Sequence, residues 1–218
     1  MNWSLYRWTW LLEAPLFIGA PPAGAFNRCR LYVPARAVWG AMTAEKARGD
    51  AGDAWPDYKG VGGKLRDNAR FTYLFPAVQM DGEWVAWLPE YKREMGLVWR
   101  PEGRDGGVDD ALTDRRFRQR LITTRPGTAI DPGTDSAAAG SLRETECLSP
   151  RWCSPDGEEP SGPVALCGYV FLRGEKKQGF VDGATTLFLG GDTRYGLGKV
   201  RLAVCQEADE VFGEPAML

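Results

Sequence analysis

Hydrophobic and polar positions alternate along the first stretch of the chain, residues 3–12, WSLYRWTWLL. An alternation with a period of two sends successive side chains to opposite faces of a β-strand. One of these faces carries Ser4, Tyr6, Trp8 and Trp10. The pattern predicts an opening strand that continues to about Ile18.

Apolar residues at helical spacing follow in residues 32–49, YVPARAVWGAMTAEKARG. The apolar stripe consists of Val38, Trp39, Met42 and Ala35. Pro34 suits the first turn of a helix, and Gly49 suits its end. We therefore predict a helix here, with loops before it (19–31) and after it (50–68).

Two stretches of strand composition, 69–78 and 83–91, are joined by QMDG, and an Asp-Gly pair between such stretches is a strong hairpin signal. Residues 108–124, VDDALTDRRFRQRLITT, begin acidic and end basic, which suits the dipole of a helix. The basic part carries Arg115, Arg116, Arg118 and Arg120. Such a cluster is either a solvated helix face or a phosphate-binding face.

Apolar residues become sparse in residues 123–163, which are rich in Gly, Pro, Ser, Thr and Asp. A stretch this long without a core pattern is typical of a functional insertion or of disorder. Strand composition returns in residues 163–174, 184–191 and 199–207. This order predicts one α+β domain over 1–218, an antiparallel sheet with helices on one face.

Composition excludes several classes of function. The net charge of −2 demands no nucleic acid, although a local basic face would still bind phosphate. The sequence contains no histidine, so neither a Ser-His-Asp nor a Cys-His arrangement can be built. It also contains no run of about 20 apolar residues that would span a membrane.

Five cysteines, an odd number, and the absence of an opening signal peptide predict reduced thiols in a cytoplasmic protein. Cys147, Cys153 and Cys167 would need a fourth ligand to form a zinc site, and their spacing matches no recognised zinc pattern. Buried or loop thiols are the simpler interpretation, and we expect no cofactor.

A glycine-rich segment lies near the C-terminus, residues 187–202, LFLGGDTRYGLGKVRL. Its glycines are Gly190, Gly191, Gly196 and Gly198, and its other notable residues are Arg194, Tyr195 and Lys199. The glycines serve either a turn with positive φ or close approach of a phosphate backbone. The segment is not a Walker loop, because Leu197 follows where that motif has lysine.

Three segments together resemble the CRISPR-associated RAMP superfamily. EAPLFIGAPPAG and YVPARAVWGAMTA are similar to the family's opening strand, loop and helix start. RPGTAIDPGTDSAAAGSLRETECL resembles a segment of RAMP subunits in type III effector complexes, and LGGDTRYGLGKV resembles the superfamily's glycine-rich loop. Each motif alone is common, and their joint order carries the resemblance.

The resemblance implies an RRM-like, ferredoxin-like core. It also implies a backbone subunit that stacks along a CRISPR guide RNA with other RAMP-type subunits, opposite a target RNA or DNA. Backbone relatives push a β-hairpin thumb between guide bases, and residues 123–148 fall at that position. Its apolar residues Ile130, Leu142 and Leu148 are the expected wedge.

The resemblance, together with the residue types, predicts RNA contacts by basic residues, by glycines and by a few apolar or aromatic side chains. These residues are Arg28, Arg30, Arg36, Arg125, Ile130, Leu142, Gly190, Gly191, Arg194, Tyr195, Gly196, Gly198 and Lys199. Relatives often place a phosphate-binding lysine where this chain has Trp39, so core packing is the better interpretation of that residue.

Cleaving relatives use an Asp in the loop after the first strand together with a divalent metal. This chain has no Asp or Glu between Glu13 and Glu45, so a metal would find no carboxylate there. Asp131 is the remaining catalytic candidate, although a turn role before Pro132 suits it better. The sequence thus favours a non-catalytic guide-binding subunit. Alternatives are a RAMP endoribonuclease, acting on guide precursors or on target RNA with a metal, and a protein scaffold.

Overall fold

The structure is a computed structural model, and it describes residues 3–103, 111–153, 160–174 and 184–216. The strands in chain order are β1 (Trp3–Leu12), β2 (Phe26–Asn27), β3 (Ala69–Phe71), β4 (Phe75–Met80), β5 (Glu83–Lys92), β6 (Gly96–Pro101), β7 (Leu112–Thr113), β8 (Ile122–Gly127), β9 (Ile130–Asp131), β10 (Ser136–Ala137), β11 (Arg143–Leu148), β12 (Arg151–Cys153), β13 (Pro160–Pro163), β14 (Ala165–Arg173), β15 (Thr186–Phe188), β16 (Lys199–Ala208), β17 (Glu210–Val211) and β18 (Glu214–Pro215). The helices of the described part are α1 (Ala35–Ala51), α2 (Tyr58–Asn68) and α3 (Asp114–Leu121).

A large antiparallel sheet forms the centre of the molecule, in the order β15-β16-β1-β14-β4-β5-β6-β7, with β3 also pairing with β14. The α+β class and the antiparallel sheet predicted from the sequence are confirmed. The longest pairing joins β1 to β14, from Trp3 opposite Arg173 to Leu11 opposite Ala165. Strand β16 covers the other side of β1, which makes β1 a central strand.

The core explains the composition of β1. Trp8 and Trp10 are almost completely buried, and Leu5 and Thr9 on the opposite face are buried as well. A strand buried on both faces must be rich in large apolar side chains. The strand ends at Leu12, so its predicted continuation to Ile18 is wrong. Pro15 offers no N–H to a ladder, and the chain beyond it makes only isolated bridges.

Helix α1 begins at Ala35, so Pro34 is its N-cap and does not lie in its first turn as predicted, and the helix ends at Ala51, two residues beyond the predicted end. Val38 and Met42 are buried in the core, and Trp39 packs against its edge. Gly52, with φ of 54°, follows the last residue of the helix, in the left-handed region that glycine tolerates. The structure therefore agrees with core packing as the role of Trp39.

Helix α2 lies where the sequence predicted a loop, and that prediction is wrong for residues 58–68. The Asp57 side chain accepts a hydrogen bond from the Gly60 N–H at 2.8 Å and caps the helix. A Cβ on Gly62 would lie 3.0 Å from the ring of Trp39, so this glycine permits close packing of α2 on α1. Gly62, which lay in the predicted loop, thus serves contact between two helices.

The predicted hairpin is confirmed. Asp81 and Gly82 join β4 to β5 with φ of 51° and 87°, as a two-residue turn with positive φ at both positions requires. Helix α3 is shorter than predicted at both ends. Thr113 caps its start, and residues 122–124 continue as β8. Part of the predicted helix, 108–110, lies outside the described residues.

A second, smaller sheet is built largely from residues of the insertion. Strands β8 and β11 pair antiparallel from Ile122 opposite Leu148 to Gly127 opposite Arg143, and β2 pairs with β11 in parallel. Strands β9 and β10 form a short hairpin in the connection between them. We call residues 122–148 the ribbon, and 128–142 its tip. In the described part of the chain, no helix is long and apolar enough to cross a membrane.

Candidate nucleic-acid interface

The glycine-rich segment 187–202, called the glycine loop below, packs on the segment that follows β1. A Cβ on Gly190 would overlap the carbonyl oxygen of Phe17, and one on Gly198 would overlap the carbonyl oxygen of Leu189. The Gly191 N–H donates to the carbonyl of Phe17 at 2.9 Å, and the Gly198 N–H donates to the carbonyl of Pro15 at 2.8 Å. The need for glycine at 190 and 198 therefore has a cause inside the protein, and contact of this loop with RNA stays a prediction.

Gly196 has a different reason to be glycine. It ends the single 3₁₀ turn Thr193–Tyr195 with φ of 81°, and a Cβ there would meet no atom within 4 Å. The turn carries Arg194 and Tyr195 outward, and both are exposed. The loop thus presents a cation and an aromatic ring on a backbone that is held at both ends.

Lys199 is not a free cation. Its Nζ lies 3.0 Å from Glu13 Oε2, and Arg201 Nε lies 2.8 Å from Glu13 Oε1. These hydrogen bonds from Lys199 and Arg201 lower the pKa of Glu13, so the carboxylate stays charged at neutral pH. Sequence reasoning missed Glu13 and Arg201 because β16 and the end of β1 are far apart in the chain.

A groove of about 560 Å³ runs between helix α1 and the glycine loop. We call it the α1 groove; it is lined by Ile18, Gly19, Arg30, Pro34, Ala37, Gly40, Ala41, Ala44, Arg48, Phe188, Gly190, Gly191 and Thr193. The helix side consists largely of small residues, so an extended chain can approach the backbone closely. Two arginines, Arg30 and Arg48, supply positive charge.

The two arginines of the α1 groove differ in how they are held. Arg30 donates to the carbonyl of Gly19 at 3.1 Å and to the hydroxyl of Tyr32 at 3.3 Å. Arg48 pairs with Glu45 at 2.7 Å on the surface of the helix. Arg30 was predicted and Arg48 was missed. The signal for Arg48 was its position one turn after Ala44, on the small-residue face of α1.

A second groove, of about 260 Å³, lies between the ribbon and the glycine loop. We call it the ribbon groove; it is lined by Arg125, Pro126, Gly127, Thr128, Arg143, Thr145, Asp192, Tyr195 and Leu197. It brings together the predicted residues Arg125 and Tyr195, which are 70 positions apart. Arg143 was missed, although it follows from the pairing of β8 with β11, which brings Arg125 and Arg143 close together.

The tip of the ribbon exposes two predicted apolar residues, Ile130 at 59% and Leu142 at 64%. Ser141 Oγ lies 2.7 Å from Thr128 Oγ1 and accepts from the Ala129 N–H at 3.1 Å, which ties the two sides of the tip together. Leu148, predicted as a third wedge residue, is fully buried, and its backbone pairs with Leu16. That part of the prediction is wrong, because Leu148 belongs to the core.

Two predicted arginines lie outside the grooves, and Arg118, from the cluster that the sequence left open as a solvated or phosphate-binding face, serves other contacts. Arg28 and Arg36 are exposed, in the first loop and in the first turn of α1. Within the basic part of α3, Arg118 donates to the carbonyl of Cys29 at 3.3 Å and pairs with Glu146 at 3.5 Å. Arg118 thus joins α3 to the first loop and to the ribbon.

Asp131 occupies a turn. Its Oδ1 accepts from the Gly133 N–H at 2.8 Å, and its carbonyl accepts from the Asp135 N–H at 2.8 Å. Both contacts are those of an aspartate that closes a tight turn, the interpretation that the sequence favoured.

Most thiols in the described residues lie in the interior, and Cys153 and Cys205 are only partly buried. Cys29, Cys147 and Cys167 are buried, and burial raises the pKa of Cys29 to about 12 and that of Cys147 to about 11. Within the described ranges, no three His, Cys, Asp or Glu side chains are grouped to hold a metal. Cys147, Cys153 and Cys167 therefore do not come together as the zinc alternative requires.

Comparison with known proteins adds information on the fold. No family profile matches the chain, and no curated protein matches its sequence. A chain in the cryo-EM structure of the Type III-B Cmr-beta bound to cognate target RNA aligns with a TM-score of 0.52 and 13% identity, over 91% of this chain and 96% of that one. The two chains share a fold.

A second similar chain comes from the structure of the Type III-B Cmr-beta bound to cognate target RNA and AMPPnP, state 1. It aligns with a TM-score of 0.56 and 12% identity, over 91% of this chain and 62% of that one. The present chain thus spans less than two thirds of that relative's length. At this level of identity, the similarity concerns the fold.

Proposed function

We propose that this chain is a non-catalytic, guide-RNA-binding subunit of a type III-like CRISPR effector complex. The observation that carries the proposal is the meeting of two arginine-bearing grooves at one glycine loop, with Arg30 and Arg48 in the first and Arg125 and Arg143 in the second. Grooves lined by arginines and small residues suit a sugar-phosphate backbone. The shared fold with chains of an RNA-bound Cmr-beta supports the same class of complex.

We propose that phosphates of the guide follow the α1 groove and pass Arg194 toward the ribbon groove. The charge-assisted hydrogen bonds of a guanidinium suit phosphate oxygens, and arginine stays charged at every accessible pH. Small side chains on α1 allow the backbone to come close. This binding holds the strand without reading its sequence, as a subunit that serves many guides requires.

The ribbon tip has a second role in this proposal. Ile130 and Leu142 are exposed apolar side chains on the tip of the ribbon. The contact between Ser141 and Thr128 ties the two sides of this tip together. An apolar wedge between bases interrupts their stacking, and the energy of phosphate contacts offsets that cost. The ribbon would therefore act as the thumb of the subunit.

The core of the sheet agrees with an RRM-like arrangement, which we include in the proposal. Strand β14 lies between β1 and β4, and helices α1 and α2 connect β1 to β4 along the chain. Two strands with a third between them and a helical connection form a split βαβ unit, the element from which ferredoxin-like folds are built.

We propose no catalytic role. The sequence offers no imidazole, and the first loop offers no carboxylate. Cys29 in that loop is buried with its pKa raised to about 12, so it supplies no thiolate near neutral pH. Asp192 is the one acidic side chain that lines either groove, and no group of three His, Cys, Asp or Glu side chains in the described residues could hold the metal that metal-assisted phosphodiester cleavage requires.

Charge reversal at Arg125 of the ribbon groove and at Arg194 of the glycine loop tests the proposal. The Arg125→Glu/Arg194→Glu variant and the matched control Arg66→Glu/Arg93→Glu change net charge equally at exposed positions. Binding of single-stranded RNA is measured across a salt series. We expect the first variant to weaken binding and to reduce the salt dependence by about 0.7 for each phosphate that it no longer neutralises. Equal effects of the two variants would mean that only net charge matters.

A further inference from the structure

Tyr32 and Tyr73 form a stacked pair beside the α1 groove. Their ring centroids are 5.4 Å apart and the ring planes differ by 12°. Tyr32 covers one face of Tyr73, yet 48% of Tyr73 stays accessible. Neither tyrosine belongs to the interface predicted from the sequence.

The backbone beneath this pair is held firmly. Val33 and Leu74, the residues that follow the two tyrosines, exchange two backbone hydrogen bonds of 2.9 Å and 3.0 Å. A Cβ on Gly168 would crowd both the Tyr73 carbonyl and the Leu74 side chain, so the segment packs directly on β14. Phe75 tilts against both tyrosine rings. The rings are therefore fixed before any ligand binds, and little side-chain entropy remains to be lost.

Arg30 joins the pair to the α1 groove. It lines that groove, and it donates to the Tyr32 hydroxyl at 3.3 Å. Proteins bind single-stranded nucleic acid by combining cations with exposed aromatic rings. The cations pair with the phosphates, and the rings stack against the bases.

We propose that Tyr73, supported by Tyr32, stacks against a base of the single-stranded RNA whose phosphates lie in the α1 groove. The inference rests on the proposed function and adds a base contact to its phosphate contacts. Stacking of this kind tolerates any base, since every base offers a π-face. The pair thus holds a nucleotide in place without selecting it.

Photocrosslinking locates the base directly. The full chain is mixed with a single-stranded oligouridine that carries one 5-iodouridine, irradiated, and digested for mass spectrometry. We expect the crosslinked peptide to contain Tyr73. Affinity for the same RNA should fall roughly tenfold in Tyr73→Ala and stay near the wild-type value in Tyr73→Phe, which keeps the ring. Tyr91, 77% exposed on β5, supplies the matched control Tyr91→Ala.

The outcomes separate this inference from the proposed function. If the wild-type chain binds no RNA, both are overturned. If it binds RNA, and Tyr73→Ala binds as tightly while no crosslink maps to Tyr73, the stacking contact is wrong and the phosphate contacts stand. Melting temperatures of all three variants identify any loss of folding. If Tyr73→Ala does not fold, the crosslink position in the wild-type chain decides the inference.

Discussion

Gly190 lies directly against the carbonyl oxygen of Phe17, so that any side chain at position 190 would overlap this oxygen. The two residues are far apart in sequence, and their contact anchors the glycine loop to the segment after β1. The shape of the glycine loop, and therefore the position of Arg194, depends on the close contact between Gly190 and Phe17.

Replacement of Gly190 by alanine should therefore lower the free energy of unfolding by about 2–4 kcal/mol, from positive φ and overlap together. Gly196→Ala carries only the cost of positive φ, about 1 kcal/mol, because open space surrounds it. Urea denaturation of the two variants measures the difference. Equal losses would show that Phe17 moves aside at no cost.

Arg48 should contribute to RNA binding with little effect on stability. Its ion pair with Glu45 is a surface pair on one helix, worth less than about 0.5 kcal/mol. We expect Arg48→Ala to bind single-stranded RNA more weakly, with a salt dependence reduced by about 0.7. Arg66→Ala, an exposed arginine on α2, is the control. If both variants bind alike, the α1 groove does not hold phosphate.

The ribbon tip should act on bases and not on folding. Ile130→Ser/Leu142→Ser should change the free energy of unfolding by less than about 0.5 kcal/mol, since both side chains are exposed. In RNA bound to the wild-type chain, a 2-aminopurine base placed opposite the tip should fluoresce more strongly, because the tip unstacks it. In RNA bound to the variant, this increase should be lost.

Leu148→Ala is the contrasting substitution in the ribbon. Leu148 is fully buried, so its truncation should lower the free energy of unfolding by about 2–5 kcal/mol. The two predictions are independent. If the tip variant gives the same 2-aminopurine fluorescence as the wild type, the ribbon does not act as a thumb, whatever the result for Leu148.

The burial of Cys29 should lower the free energy of unfolding at alkaline pH. Burial raises its pKa from an ordinary 9.0 to about 12, so the unfolded chain releases a proton in a range where the folded chain keeps it. Its contribution to stability is then complete below pH 9.0 and is lost as the pH rises toward 12. At one pH unit above the unfolded pKa, the loss is about 1.4 kcal/mol. Unfolding of wild type and Cys29→Ala at neutral and alkaline pH should show a shallower decline in the variant; parallel declines would contradict the prediction.

Asp131 should not support cleavage. Its side chain closes a turn with Gly133, and we expect Asp131→Ala to leave the cleavage map of an assembled complex in Mg²⁺ unchanged. Sites of target cleavage are mapped by sequencing gels for both proteins. A cut opposite this subunit that disappears in the variant would assign a nuclease site to the ribbon.

Local signals in the sequence were sufficient for several elements. The Asp81-Gly82 pair predicted the hairpin because few other residues tolerate positive φ at both positions. Pro34 predicted the start of α1, and the alternation in residues 3–12 predicted β1. Each of these depends on backbone preference or on a period within one element, so no distant residue was needed.

Tertiary structure decided the features that depend on residues far apart in the chain. Helix α2 was missed because residues 50–68 were interpreted as a loop, and the reason for Gly62, close contact with Trp39, exists only after two helices pack. Leu148 looked like a wedge within its own segment, and its burial follows from pairing with Leu16. The α1 groove and the ribbon groove likewise form only when the glycine loop docks on Phe17, because each groove is lined by segments that the sequence separates and the sheet brings together.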